Sequence, residues 1–407
     1  MRAQKLLFVV IAAGLWAQMN PTGTSGNALV QAQPKVELAV QPVPMGDYEV
    51  VDNWPRPLPD RDLPHAGWTW GSGAGVWAES PDKVWVSQRG EIQLPPGATP
   101  WICPCLLNPR RTNTGRRPYS GKGYEYEMRR HHLVFAVDRN GNTIEEWLQH
   151  DRFLAPPRGS GLGEVGRGPH KLLINPYDKQ KHIWIVDDDQ HVINIFTNDG
   201  KLVRTMGERG VPGRGPNNFN RPTDIAWLPD GTFFVSDGYV NTRVVKFDKS
   251  GKFLMTWGQP GNQPNETRPS YMNTVHAIVI DKNKRLYVSD RANSRIQVFD
   301  ENGKFLEAWP NVRRPYSLLL SEDQHLWVAD GITQKFTKFD LTGKLLYSWG
   351  TFGAFPGGFW GVHQFHTDSD GNLYTADVHV GRPQKFRPKK GANPANLIGA
   401  YSKRGTN

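Results

Sequence analysis

Cysteine is nearly absent from this chain: two among 407 residues, Cys103 and Cys105, both in Trp-Ile-Cys-Pro-Cys. Two cysteines cannot build a disulfide framework, and a bridge inside Cys-x-Cys would close a small strained ring. Long amphipathic helical patterns are missing as well. So are long apolar runs: past the N-terminus no stretch has the length and hydrophobicity to cross a bilayer. Acidic residues are outnumbered, 39 against 49 Lys and Arg, for a net charge of +10. Part of that excess is local, in Arg110, Arg111, Arg116, Arg117, Lys122, Arg129 and Arg130. We read it as a solubility feature rather than a nucleic-acid surface.

Glycine (42), proline (32) and tryptophan (15) are plentiful instead. That mixture suits an all-β chain with many turns, and such folds often run long as one domain. The N-terminus reads as an export signal. Arg2 and Lys5 precede the apolar run Leu6 to Ala17, which is of signal-peptide length. We expect residues 1–32 to be the signal peptide, with cleavage after Ala17 or Ala32, and 33–45 to be a linker. The expected location is secreted or periplasmic, with no membrane span after signal removal, and the expected state is a monomer.

A repeat dominates the remainder. Phe233–Asp237, Leu286–Asp290, Leu326–Asp330 and Leu373–Asp377 are copies of one aromatic-x-Val-x-Asp strand, and Ile183–Asp187 is a fifth. Their aspartates are spaced by 50, 53, 40 and 47 residues. Downstream landmarks recur at fixed offsets: Phe299, Gly303 and Trp309 after Asp290 match Phe339, Gly343 and Trp349 after Asp330. Alternating strands joined by Asp-Gly and Asn-Gly turns are hairpins. A four-stranded unit of about 40 to 50 residues is a propeller blade. Val84–Gln88 begins a sixth, divergent copy, interrupted by an insertion at about 92–130. The expected fold is an all-β, six-bladed β-propeller over 46–402. The outer strand of the last blade is either 396–401 or the N-terminal segment around Tyr48–Trp54.

Three histidines share a register. His276 stands 14 residues before Asp290 and His363 stands 14 before Asp377. His170 stands 17 before Asp187, and a longer turn, Pro176 to Lys181, accounts for the excess. They fall in alternate blades, about 120° apart around a six-fold axis. Three imidazoles converging there leave a fourth position open, as catalytic zinc sites do. His366, His379, His131 and His132 lack the register and are assigned to the surface or to packing. Arg89 and Arg291 stand at one position, just past the motif, in opposite blades. Tyr239 follows Asp237-Gly238 in a blade between two His-bearing ones. Guanidiniums bind carboxylates bidentately, and a phenol beside a cation can serve as a base, so an anionic substrate is expected.

The stretches Phe219–Ala226, Val235–Arg243 and Val288–Phe299 resemble the peptidyl-α-hydroxyglycine α-amidating lyase family, whose fold is a six-bladed propeller of NHL-type repeats. The resemblance implies zinc on His170, His276 and His363, with Tyr239, Arg89 and Arg291 as catalytic residues. It implies a carbon–nitrogen lyase that cleaves a carboxylate-bearing peptide or small carbinolamide into an amide and glyoxylate. It also implies a structural calcium on the carbonyls of Val76 and Leu172, with Gln364 where the family has an aspartate. The alternative is a secreted, non-catalytic NHL-repeat propeller that binds a protein or a glycan.

Overall fold

The structure, a computed structural model, describes residues 45–61, 63–93, 128–154, 167–262, 266–310, 312–379 and 381–401. The signal peptide, nearly all of the linker, Cys103, Cys105, Arg110, Arg111, Arg116, Arg117, Lys122 and most of the 92–130 insertion lie outside them. Contacts divide the chain into Met1–Pro42 and Val43–Asn407, and the fold below is that of the second unit.

Each aromatic-x-Val-x-Asp motif is the second strand of an antiparallel four-stranded sheet. Blade 1 is Gly73–Ser80, Lys83–Gln88, Val134–Val137 and Thr143–Glu146. Blade 2 is Pro169–Ile174, Ile183–Asp187, Val192–Phe196 and Leu202–Met206. Blade 3 is Asp224–Trp227, Phe233–Asp237, Arg243–Phe247 and Phe253–Trp257. Blade 4 is Val275–Ile280, Leu286–Asp290, Arg295–Phe299 and Phe305–Pro310. Blade 5 is Pro315–Leu320, Leu326–Asp330, Phe336–Phe339 and Leu345–Trp349. Blade 6 is Val362–Thr367, Leu373–Asp377 and Pro383–Pro388, and its outer strand is Tyr48–Val50 from the other end of the chain. Of the two sources considered for that strand, the N-terminal one is found. The 396–401 segment contributes no strand; it follows a short 3-10 turn at Pro394–Asn396.

The apolar residues explain why the blades close into a ring. One face of each sheet packs on the next, so six buried clusters form between neighbours rather than one central core. Trp85, Trp147 and Phe196 join blades 1 and 2, and Val76, Val86 and Tyr374 join blades 6 and 1. The repeated Gly and Trp landmarks meet across these seams. Gly303 has φ +77°, and a Cβ there would lie 2.7 Å from the Trp257 ring of the preceding blade. Glycine satisfies both demands at once. The repeated aspartates clamp the blade end rather than face the axis: Asp290 accepts from the Asn273 amide at 2.7 Å and from Arg295 Nε at 2.7 Å.

Candidate metal centre

Each histidine of the register sits where its blade's innermost ladder slips. Pairing jumps from Pro169↔Asp187 to Lys171↔Val186, leaving His170 as the extra residue. It jumps likewise from Val362↔Asp377 to Gln364↔Ala376 around His363, and from Val275↔Asp290 to Ile278↔Val288 past His276. A β-bulge bends the strand and re-aims a side chain. The three rings converge, with centroids 4.4 Å apart for His170 and His363, 4.9 Å for His170 and His276, and 5.0 Å for His276 and His363. All three are buried, and their candidate ligand atoms lie within 4.8 Å of one another.

The intervening blades orient these rings. His170 Nδ1 donates to the Thr223 carbonyl at 2.7 Å, His276 Nδ1 to that of Tyr316 at 2.6 Å, and His363 Nδ1 to that of Ala74 at 2.8 Å. A carbonyl only accepts, so each Nδ1 carries the proton and each Nε2 presents a lone pair to the centre. Burial holds all three rings well below the ordinary histidine range; mutual proximity and the charges of Arg89, Arg291 and Lys171 push the same way. They are therefore neutral.

That leaves the centre short of protons. Tyr239 Oη lies 3.1 Å from His170 Nε2 and 3.1 Å from His276 Nε2, yet it has one proton for two acceptors. Among the described residues, His363 Nε2 is buried with no hydrogen-bond partner. A buried polar atom left this way calls for a partner, and with two more imidazole lone pairs aimed at the same point a cation is one that suits all three. Three neutral imidazoles with convergent lone pairs fit a divalent transition metal such as zinc.

Tyr239 lies between two guanidiniums, with Arg221 Cζ 4.3 Å and Arg291 Cζ 5.2 Å from its ring centroid. Arg291 also stands 4.8 Å from the Tyr316 ring and, among the described residues, forms no ion pair with a carboxylate. Arg89 is placed differently. It is buried, its Nε donates to the Pro169 carbonyl at 3.1 Å, and its Nη2 is 3.6 Å from Asp188 Oδ1. The other oxygen of Asp188 takes Arg221. Arg89 and Arg291, the two arginines expected at the site, thus both approach the histidines but differ in their contacts: Asp188 and the Pro169 carbonyl hold the first. Sequence reasoning missed Asp188, although it stands at the same position past the motif as Arg89 and Arg291. It also missed Arg221, whose φ of +62° no pattern announces.

The calcium implied by resemblance does not fit the residues present. Gln364 Nε2 donates to the Leu172 carbonyl at 2.7 Å, and the Leu172 amide donates to Gln364 Oε1 at 3.2 Å. The carbonyl assigned to the ion already accepts an amide proton, and Gln364 supplies no charge. Next to it the buried Lys171 ammonium spans to Ser317 Oγ at 2.9 Å and Asp224 Oδ2 at 3.7 Å. Lys171 brings no negative ligand for a cation and draws on the Asp224 carboxylate itself.

Known proteins agree with the repeat. A family profile described as NHL repeat matches residues 272–299. A Drosophila melanogaster protein named peptidyl-alpha-hydroxyglycine alpha-amidating lyase 1 is 33% identical over 151 residues, 35% of this chain and 27% of that protein. A Caenorhabditis elegans protein named as a probable lyase of the same kind is 34% identical over 185 residues, 44% of this chain and 50% of its own length. The Mus musculus NHL repeat-containing protein 3 is 30% identical over 152 residues, 35% of this chain and 42% of that protein. The matches thus span half or less of these relatives. With its six sheets in a closed ring, its repeats and these relatives, the chain is an NHL-repeat β-propeller that resembles the peptidyl-α-hydroxyglycine α-amidating lyases.

Proposed function

We propose that this chain is a zinc-dependent carbon–nitrogen lyase that cleaves a carbinolamide, a peptidyl-α-hydroxyglycine or a near relative, into an amide and glyoxylate. The observation that carries the reading is the meeting of three neutral imidazole lone pairs with a phenol bonded between two of them. Zinc held by His170, His276 and His363 would supply Lewis acidity to the substrate's α-hydroxyl. The half-buried phenol of Tyr239 is the group placed to move the proton. Its oxygen takes the proton of the α-hydroxyl as its own proton passes to the amide nitrogen, which leaves the phenol as it began. The C–N bond breaks with its electron pair on nitrogen, and the hydroxyl oxygen becomes the aldehyde carbonyl. Atoms and charge balance without water, oxidant or reductant.

Arg291, which forms no ion pair with a carboxylate among the described residues, is the anchor for the substrate carboxylate. Arg89 acts as a positioning residue, holding the Pro169 carbonyl beside His170. The signal-peptide pattern of the N-terminal segment supports a location outside the cytoplasm, which sequencing the N-terminus of exported protein would test. The reaction is tested by glyoxylate release from a peptide ending in α-hydroxyglycine. Zinc without glyoxylate removes the substrate class. Neither zinc nor glyoxylate leaves the non-catalytic propeller.

A further inference from the structure

We propose that His65, Glu91 and His132 hold a second divalent transition-metal ion on the flank of blade 1, sharing no residue with the histidine triad. Two of these residues border a small three-stranded sheet, Trp68–Trp70, Glu91–Gln93 and Met128–Arg129, that stands apart from the six blades. Glu91 Oε1 lies 2.8 Å from His65 Nε2 and 3.1 Å from His132 Nδ1, and the three ligand atoms fall within 4.8 Å of one another. Glu91 and His132 are fully buried, and the His65 side chain is 9% exposed.

The outer contacts are those of a metal site. His132 Nε2, the nitrogen turned away from the cluster, meets Glu146 Oε1 at 2.8 Å. His65 Nδ1, likewise remote, is 3.5 Å from Asp60 Oδ1 without a hydrogen bond to it, so His132 alone shows the full outer contact. The second oxygen of Glu91 accepts from Arg129 Nε at 2.5 Å. Metal-bound imidazoles characteristically pass their far nitrogen to a carboxylate, which fixes the ring and raises its basicity. Two histidines and one carboxylate are a common set for zinc with open positions. A cavity of about 180 Å³, lined by His65, Glu91, Trp68, Thr69 and Trp70, reaches two of the three ligands and supplies an entry path. Charge points the same way. Asp60, Glu91 and Glu146 gather here against Arg61 and Arg129, an excess of negative charge that a bound cation offsets. Protons on the imidazoles would also offset it, and the experiment separates the two.

The full chain carrying His276→Ala and His363→Ala, its two cysteines alkylated, is stripped of metal and titrated with Co2+ at neutral pH. One equivalent bound, with visible d–d absorption, is expected. Adding Glu91→Gln should abolish that equivalent, and His65→Gln in place of Glu91→Gln guards against a folding failure. No binding by the two-histidine variant would overturn the proposal. So would binding that survives both Glu91→Gln and His65→Gln.

Discussion

His363 donates through Nδ1 to the carbonyl of Ala74 at 2.8 Å, across 289 positions of sequence and the seam between the last blade and the first. Ala74 stands 14 residues before Gln88, as Thr223 does before Asp237 and Tyr316 before Asp330. One repeat position therefore alternates around the ring: histidine in three blades, and in the next blade the carbonyl that fixes it. The same contact that aims the ring also closes the propeller.

Tyr239 is the proton carrier of the proposed reaction. Replacing it with Phe removes the oxygen and keeps the ring between Arg221 and Arg291. Turnover should fall about 10²- to 10⁴-fold, the usual worth of a positioned acid–base group. Bound zinc should not change. Glyoxylate release at the parent rate would remove Tyr239 from the chemistry.

Arg291→Ala should lower kcat/KM roughly ten- to a hundred-fold, the range of a charged hydrogen bond at about 1.5–3 kcal/mol. A substrate whose carboxylate is blocked as an amide should react equally with parent and variant. An equal loss on both substrates would assign Arg291 to structure.

Gln364 is braced on the Leu172 peptide and not on an ion. Adding calcium to calcium-depleted protein should leave the unfolding midpoint where it was. Gln364→Ala should cost about 1–3 kcal/mol, since it leaves the buried amide and carbonyl of Leu172 without their partner. A rise in midpoint with calcium would restore the ion.

Burial, reinforced by the neighbouring charges of Asp188 and Asp189, pushes the Asp187 carboxyl up to about 7. In an unfolded chain it titrates near 3.9. Between those values the folded state holds a proton that the unfolded state has lost. The stability this group contributes is therefore full below about pH 4 and is lost as pH rises through 7. Asp187→Asn cannot titrate. Urea midpoints from pH 4.5 to 7.5 should shift in favour of the variant, relative to the parent, as pH rises. Parallel curves would show that Asp187 is ionised throughout.

Much of this was legible because a repeat states each element several times. Asp290 and Asp330 carry the same Phe, Gly and Trp landmarks at the same offsets, and each landmark has a job at a blade seam. His276 and His363 were readable through their common distance to the motif, and Tyr48–Val50 through its resemblance to a fourth strand without a blade. The unreadable part depends on pairings between blades. Asp188 could be seen past its motif, but not that it would hold Arg89 on one oxygen and Arg221 on the other. Gln364 and Leu172 lie 192 residues apart, and only folding shows that the amide closes on the peptide. His132 looked like a packing residue because no repeat echoes it. Its partners, Glu91 and Glu146, come from a unique small sheet and an outer strand.

The central claim is that His170, His276 and His363 form a metal centre. Metal analysis of the purified full chain and of its His363→Ala variant tests it most directly. The account predicts that the variant holds one equivalent of zinc less than the parent, with glyoxylate release lost. Equal zinc in the two proteins would contradict it.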